Sequence, residues 1–138
     1  MQVTEYGGEG YLPLVDYADW RVAILRYIDE LEPQNLATMQ RHDETDEVFV
    51  LLAGRCILFI GAGAEQVNEI EIHAQDMEPL KLYNVKRGCW HTHTLSRDAT
   101  VLIVENRDTA AHNSPEIALD NEQRAKIIES TNLIWSRG

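Results

Sequence analysis

The chain has 138 residues, 23 acidic against 12 basic, and a formal charge of -11. That length suits one domain spanning residues 1–138, and the acidic balance argues against nucleic-acid and membrane-surface partners, which need clustered cations. No apolar run nears the roughly 18–20 residues that cross a bilayer, and the N-terminus lacks the basic and apolar regions of a secretory leader, so a cytoplasmic location is expected.

In chain order, residues 18–31 carry apolar side chains at both helical and alternating spacing. The β-branched and aromatic content of Trp20 to Ile28 favours a strand. Pro33-Gln34-Asn35 then reads as a turn. Short apolar segments follow at Leu36 to His42, Glu47 to Ala53, Cys56 to Ile60, Val67 to His73, Leu80 to Val85, Cys89 to Leu95 and Thr100 to Glu105. Turn signals separate them at Ala53-Gly54-Arg55, Gly61-Ala62-Gly63, Ala74-Gln75-Asp76 and Arg87-Gly88, the first short enough for a hairpin. Strands at this spacing predict an all-β sandwich or barrel. After the breaker Asn113-Ser114-Pro115, a short C-terminal α-helix is predicted over about 120–130, with Ala125, Ile127 and Ile128 on its apolar side.

Chemistry concentrates in two places. In an extended chain, residues two apart share a face, so Gln40, His42 and Glu44 form one row, with Met39 and Arg41 facing outward. A bend at Thr45-Asp46 then allows Glu47, Phe49 and Leu51 to share the inner face. His91, His93 and Leu95 form a third inward row. Neutral imidazole and carboxylate suit a divalent first-row metal, and three protein ligands plus an open position describe a catalytic site. His42, Glu47 and His91 fit that count. Asp43 and Asp46 read as solvent-facing bend residues, and His73 and His112 as surface residues. Cys56 reads as packing, and Cys89 has no basic partner fixed beside it by the sequence.

The runs His42-x4-Glu47-x6-Gly54 and Gly88-x2-His91 resemble the two motifs of the cupin superfamily over a core of residues 40–106. The resemblance implies a jelly-roll barrel, the double-stranded β-helix, holding a metal through the His and Glu of the first motif and the His of the second. Gln40 stands where the family has a further His, Lys86 where it has a proline, and Leu95 where it has an asparagine. Gln40 is thus a weaker candidate ligand. His93 is either a substitute imidazole or a residue that orients a ligand.

The leading expectation is a small metal-dependent enzyme. Its divalent transition metal (Zn, Fe, Mn or Ni) would be held by His42, Glu47, His91 and Gln40, with Glu44 or His93 moving a proton. Dioxygenase, isomerase, epimerase and lyase chemistry on a small organic molecule all remain open. A non-catalytic module binding a small molecule without metal is the alternative, and metal-free acid–base catalysis a third. Exposed sheet edges and the habit of the family suggest a homodimer.

Overall fold

The computed structural model describes residues 1–62 and 70–137. Its strands are β1 (Gly10–Tyr17), β2 (Trp20–Arg26), β3 (Thr38–Gln40), β4 (Glu47–Ala53), β5 (Cys56–Ala62), β6 (Glu71–Asp76), β7 (Leu82–Val85), β8 (Trp90–Leu95), β9 (Thr100–Asn106) and β10 (Glu116–Ala118). One helix, α1 (Asn121–Trp135), closes the chain, and two short 3-10 turns precede β3. The strands form two antiparallel five-stranded sheets, in the orders β1-β2-β9-β4-β7 and β10-β3-β8-β5-β6. This is the all-β jelly roll expected from the sequence.

Alternation decides which side chains meet. Phe49 and Leu51 of β4, Val101 and Ile103 of β9, Ala23 and Leu25 of β2, and Cys56 and Leu58 of β5 form the core between the sheets. The other face of the second sheet is covered as well: Met39, Ile57, Phe59 and Ile72 pack with Ile127 of α1 in a second core. β5 is therefore buried on both faces, which explains its unbroken apolar run. Met39 points out of the barrel as expected, yet it is only 1% exposed because the second core surrounds it.

Several local expectations are corrected. Gly54 does not close a hairpin: β4 pairs with β7 and β9, β5 with β6 and β8, so the turn carries the chain from one sheet to the other. Ala74-Gln75-Asp76 is strand, paired with Phe59, Leu58 and Ile57. The expected segment from Val67 to His73 appears as β6 from Glu71, its earlier part lying outside the described residues. The same is true of Gly63.

The helix runs to Trp135, beyond the expected end at 130. Arg55 supports the extension, donating to the carbonyls of Trp135 (2.9 Å) and Ile134 (3.3 Å) in the last turn of α1. At its start Asp120 and Gln123 form a reciprocal capping box. The face that α1 buries is Gln123, Ile127 and Thr131, and Ala125 is exposed. β1 escapes a pattern reading because Pro13 interrupts it; the chain accommodates that proline at an edge strand, beside a register shift. No helix among the described residues is long and apolar enough to cross a membrane.

Candidate metal centre

The two motif segments are tied together by backbone hydrogen bonds. Gly88 N–H donates to the carbonyl of His42 (2.7 Å), and Asp46 accepts from Arg87 N–H (2.9 Å) and Asn84 Nδ2 (3.0 Å). Those donors hold the Asp46 carboxyl below its usual range. Asp46 is therefore more than a solvent-facing bend residue: it fixes the turn before His91 against the entry to β4. On the other side Arg41 N–H and Asp43 N–H donate to the carbonyls of Pro115 (3.2 Å) and Asn113 (2.8 Å).

At this end of the barrel His42, Glu47 and His91, all buried, place one ligand atom each within 4.8 Å of one another. Glu47 Oε1 lies 2.8 Å from His91 Nε2 and 3.2 Å from His42 Nε2. The tautomers follow from the opposite ring nitrogens. His91 Nδ1 faces the carbonyl of Cys89 at 3.1 Å, which only accepts, so Nδ1 carries the proton. His42 Nδ1 faces Ser114 Oγ at 2.7 Å. Ser114 donates to Asn113 Oδ1 (3.0 Å), and Asn113 is oriented by its own Nδ2 donating to Glu44 Oε2 (3.0 Å) and the carbonyl of Asp108 (2.8 Å). Ser114 therefore accepts from His42 Nδ1.

On both neutral rings Nε2 then presents a lone pair to a carboxylate oxygen. Two lone pairs at such distances repel unless a proton or a metal ion lies between them, so the arrangement is built to receive positive charge. The titration tendencies agree. Burial would raise Glu47, but the facing imidazoles of His42 and His91 hold its carboxyl well below the usual range. Burial would lower His42, yet Glu47 and then Glu105 raise it. Two imidazole nitrogens and a carboxylate oxygen are a donor set that fits a divalent transition metal.

A cavity of about 460 Å³ opens beside these residues, walled by Leu25, Ile28 and Ile103 and by the polar groups of Tyr11, Arg21 and Gln40. Gln40 borders the cavity cross-strand from His91. His93 lines the same cavity, its ring 5.7 Å from that of Phe49. Its Nδ1 is buried without a hydrogen-bond partner among the described residues, and burial pushes its pKa down to about 4. His93 stands outside the converging set of His42, Glu47 and His91.

Glu44 does not continue the inward row. β3 ends at Gln40, and the Glu44 side chain is exposed, bound to Asn113 away from the cavity. His73 and His112 lie at the surface, 58% and 60% exposed at their side chains.

A carboxylate passed over in the sequence completes the polar end. Glu105 of β9 is 5% exposed, and its Oε1 accepts from Tyr11 Oη (2.9 Å), Arg21 Nε (3.2 Å) and Arg21 Nη2 (2.7 Å). Burial and then the charge of Glu47 raise its pKa. The signal was present: Val101, Ile103 and Glu105 alternate inward as Glu47, Phe49 and Leu51 do.

Neither a protein-family model nor a curated protein matches this chain. Solved structures do, through their fold. A Streptomyces PAC13 variant solved with uridine is 6% identical over 85% of this chain and 87% of that one, with a TM-score of 0.55. CapF, solved with the inhibitor 3-isopropenyl-tropolone, is 16% identical over 81% of this chain and 33% of that one, at 0.53. KdgF from Halomonas is 8% identical over 74% and 81%, at 0.51. The chain has the cupin fold, as its two motifs implied.

Proposed function

We propose that this chain is a small metal-dependent enzyme in which His42, Glu47 and His91 hold a divalent transition metal at the wall of the 460 Å³ cavity. The observation that carries this reading is the pair of imidazole Nε2 atoms aimed at one carboxylate oxygen, at 2.8 and 3.2 Å. The bound ion would supply Lewis acidity toward a carbonyl or carboxylate of the substrate.

The chain's own residues define the rest. Cys89 and Ser114 fix the tautomers, so that both Nε2 atoms stay available for the metal. Leu25, Ile28 and Ile103 exclude water from one side of the substrate, and the volume suits a small organic molecule. His93 is the acid–base group we assign, because its ring lines the cavity and burial keeps that ring neutral, able to take a proton from a bound molecule. Proton transfer favours isomerase, epimerase or lyase chemistry over dioxygen chemistry. Glu44 has no part in it, being bound to Asn113 outside the cavity.

Gln40, where the motif has an imidazole, supports a second reading, a metal-free module that binds a small molecule. Elemental analysis of the purified protein separates the two. Stoichiometric transition metal that disappears in His42→Ala and His91→Ala is expected; metal-free protein carrying a tightly bound organic molecule would establish the second reading instead.

A further inference from the structure

The geometry points to Glu105 as a fourth protein ligand, so that the centre comprises two imidazoles and two carboxylates. This inference rests on the reading of His42, Glu47 and His91 as metal ligands and adds a residue outside both sequence motifs.

Three observations carry it. First, β4 and β9 are antiparallel partners with Val48 opposite Val104, so Glu47 and Glu105 are the next pair along the ladder. Like charges placed opposite each other on one sheet face are unfavourable, and these two are buried, 4% and 5% exposed. Second, the two oxygens of Glu105 are used unequally. Oε1 takes all three donors from Tyr11 and Arg21, whereas Oε2 is buried, has no donor among the described residues and lies 3.6 Å from His42 Nε2, and the Glu105 carboxyl sits against that of Glu47. A buried carboxylate oxygen left empty on the side facing the imidazole is placed for a cation. Third, Arg21 cannot turn to satisfy it. Its Nη1 donates to the carbonyl of Arg107 (3.2 Å) and its Nη2 also donates to Thr109 Oγ1 (2.6 Å).

Arg21 therefore balances one of the two carboxylates, and the other calls for a proton or a cation beside it. A divalent ion held by both Glu47 and Glu105 would meet that need and give the Glu105 Oε2 a partner. Gln40, the alternative fourth ligand, supplies a neutral oxygen and leaves that need in place. Two carboxylates also shift the site toward harder ions such as Mn²⁺ and Fe²⁺, relative to a three-imidazole centre.

The test uses the full chain and Co²⁺, whose visible absorption reports its ligands. Affinity alone is not decisive, because loss of a residue that merely orients a ligand already weakens metal binding about 10–100-fold. A crystal structure of the Co²⁺-loaded wild-type protein is expected to place Glu105 Oε2 about 2.0–2.2 Å from the ion. Glu105→Gln should change the Co²⁺ absorption spectrum, and Gln40→Ala should leave it unaltered. An ion bound by His42, Glu47 and His91 with Glu105 Oε2 more than about 3 Å away overturns the assignment of Glu105 alone. Wild-type protein that takes up no Co²⁺, or uptake that survives the joint change His42→Ala and His91→Ala, overturns the underlying metal reading too. The wild-type crystal structure needs no variant, so it decides the matter even where Glu105→Gln does not fold.

Discussion

Gly54 and Gly88, the glycines of the two motifs, share one backbone conformation but not one environment, which makes them a matched pair. Their φ angles are +72° and +78°. Among the described residues a Cβ at Gly88 would meet nothing within 4 Å, whereas one at Gly54 would lie 2.5 Å from Ala99 Cα and 2.7 Å from Ala99 N. In Gly88→Ala the left-handed conformation costs about 1–2 kcal/mol. The stiffer unfolded chain returns about 0.4–1 kcal/mol, for a net loss near 1 kcal/mol. Gly54→Ala adds overpacking against backbone, which cannot rotate away, at about 1–3 kcal/mol. Its total loss is then about 2–4 kcal/mol. For a chain of this size that is a fall in Tm of about 8–16 °C, against about 4 °C for Gly88→Ala. Thermal and urea unfolding followed by circular dichroism read both. Equal losses, or a larger loss at Gly88, would refute the argument that the approach of Ala99 constrains the Gly54 turn.

Ser114→Ala removes the acceptor that fixes the His42 tautomer; Co²⁺ affinity measured by calorimetry should fall about 10–100-fold with little change in urea midpoint. Metal binding should also weaken as pH falls, because both imidazoles must be neutral. Since His42 is raised above its ordinary value of 6.5, the loss should begin above that pH, and Co²⁺ titrations at graded pH would expose a flat profile. Burial raises the thiol pKa of Cys56 and of Cys89, so both stay protonated at neutral pH. Iodoacetamide should label neither quickly in the native protein and both in denaturant; rapid native labelling of Cys89 would bring thiol chemistry back into consideration.

The barrel was legible wherever a strand has one buried face. Glu47–Ala53 appears with the bounds its alternation gave, and Phe49 and Leu51 point inward with Glu47. Parity failed where the chain leaves the extended state. β3 stops at Gln40, so strand alternation no longer applies by Glu44, which swings out to Asn113. Partner choice was not legible either. Three residues around Gly54 look like a hairpin, yet non-local pairing of β4 with β9 overrides that local signal. The end of α1 is supported by Arg55, 80 residues earlier, a contact with no local trace.

Glu105 is a different case: alternation with Val101 and Ile103 points it inward, but does not by itself mark it as part of a site. What singles it out is its opposition to Glu47 across β4 and β9, a property of pairing rather than of either segment. With Glu105 as a ligand, as proposed, the same pairing would offset Gln40 in place of an imidazole. β3 and β9 approach the polar end from opposite sheets, so a donor missing from one can be supplied by the other. Arg21 is Glu105's partner across β2 and β9, and its bonds to Oε1 hold the carboxylate with Oε2 turned toward His42. A motif confined to His42, Glu47 and His91 therefore misses the second carboxylate that β9 brings to the same end.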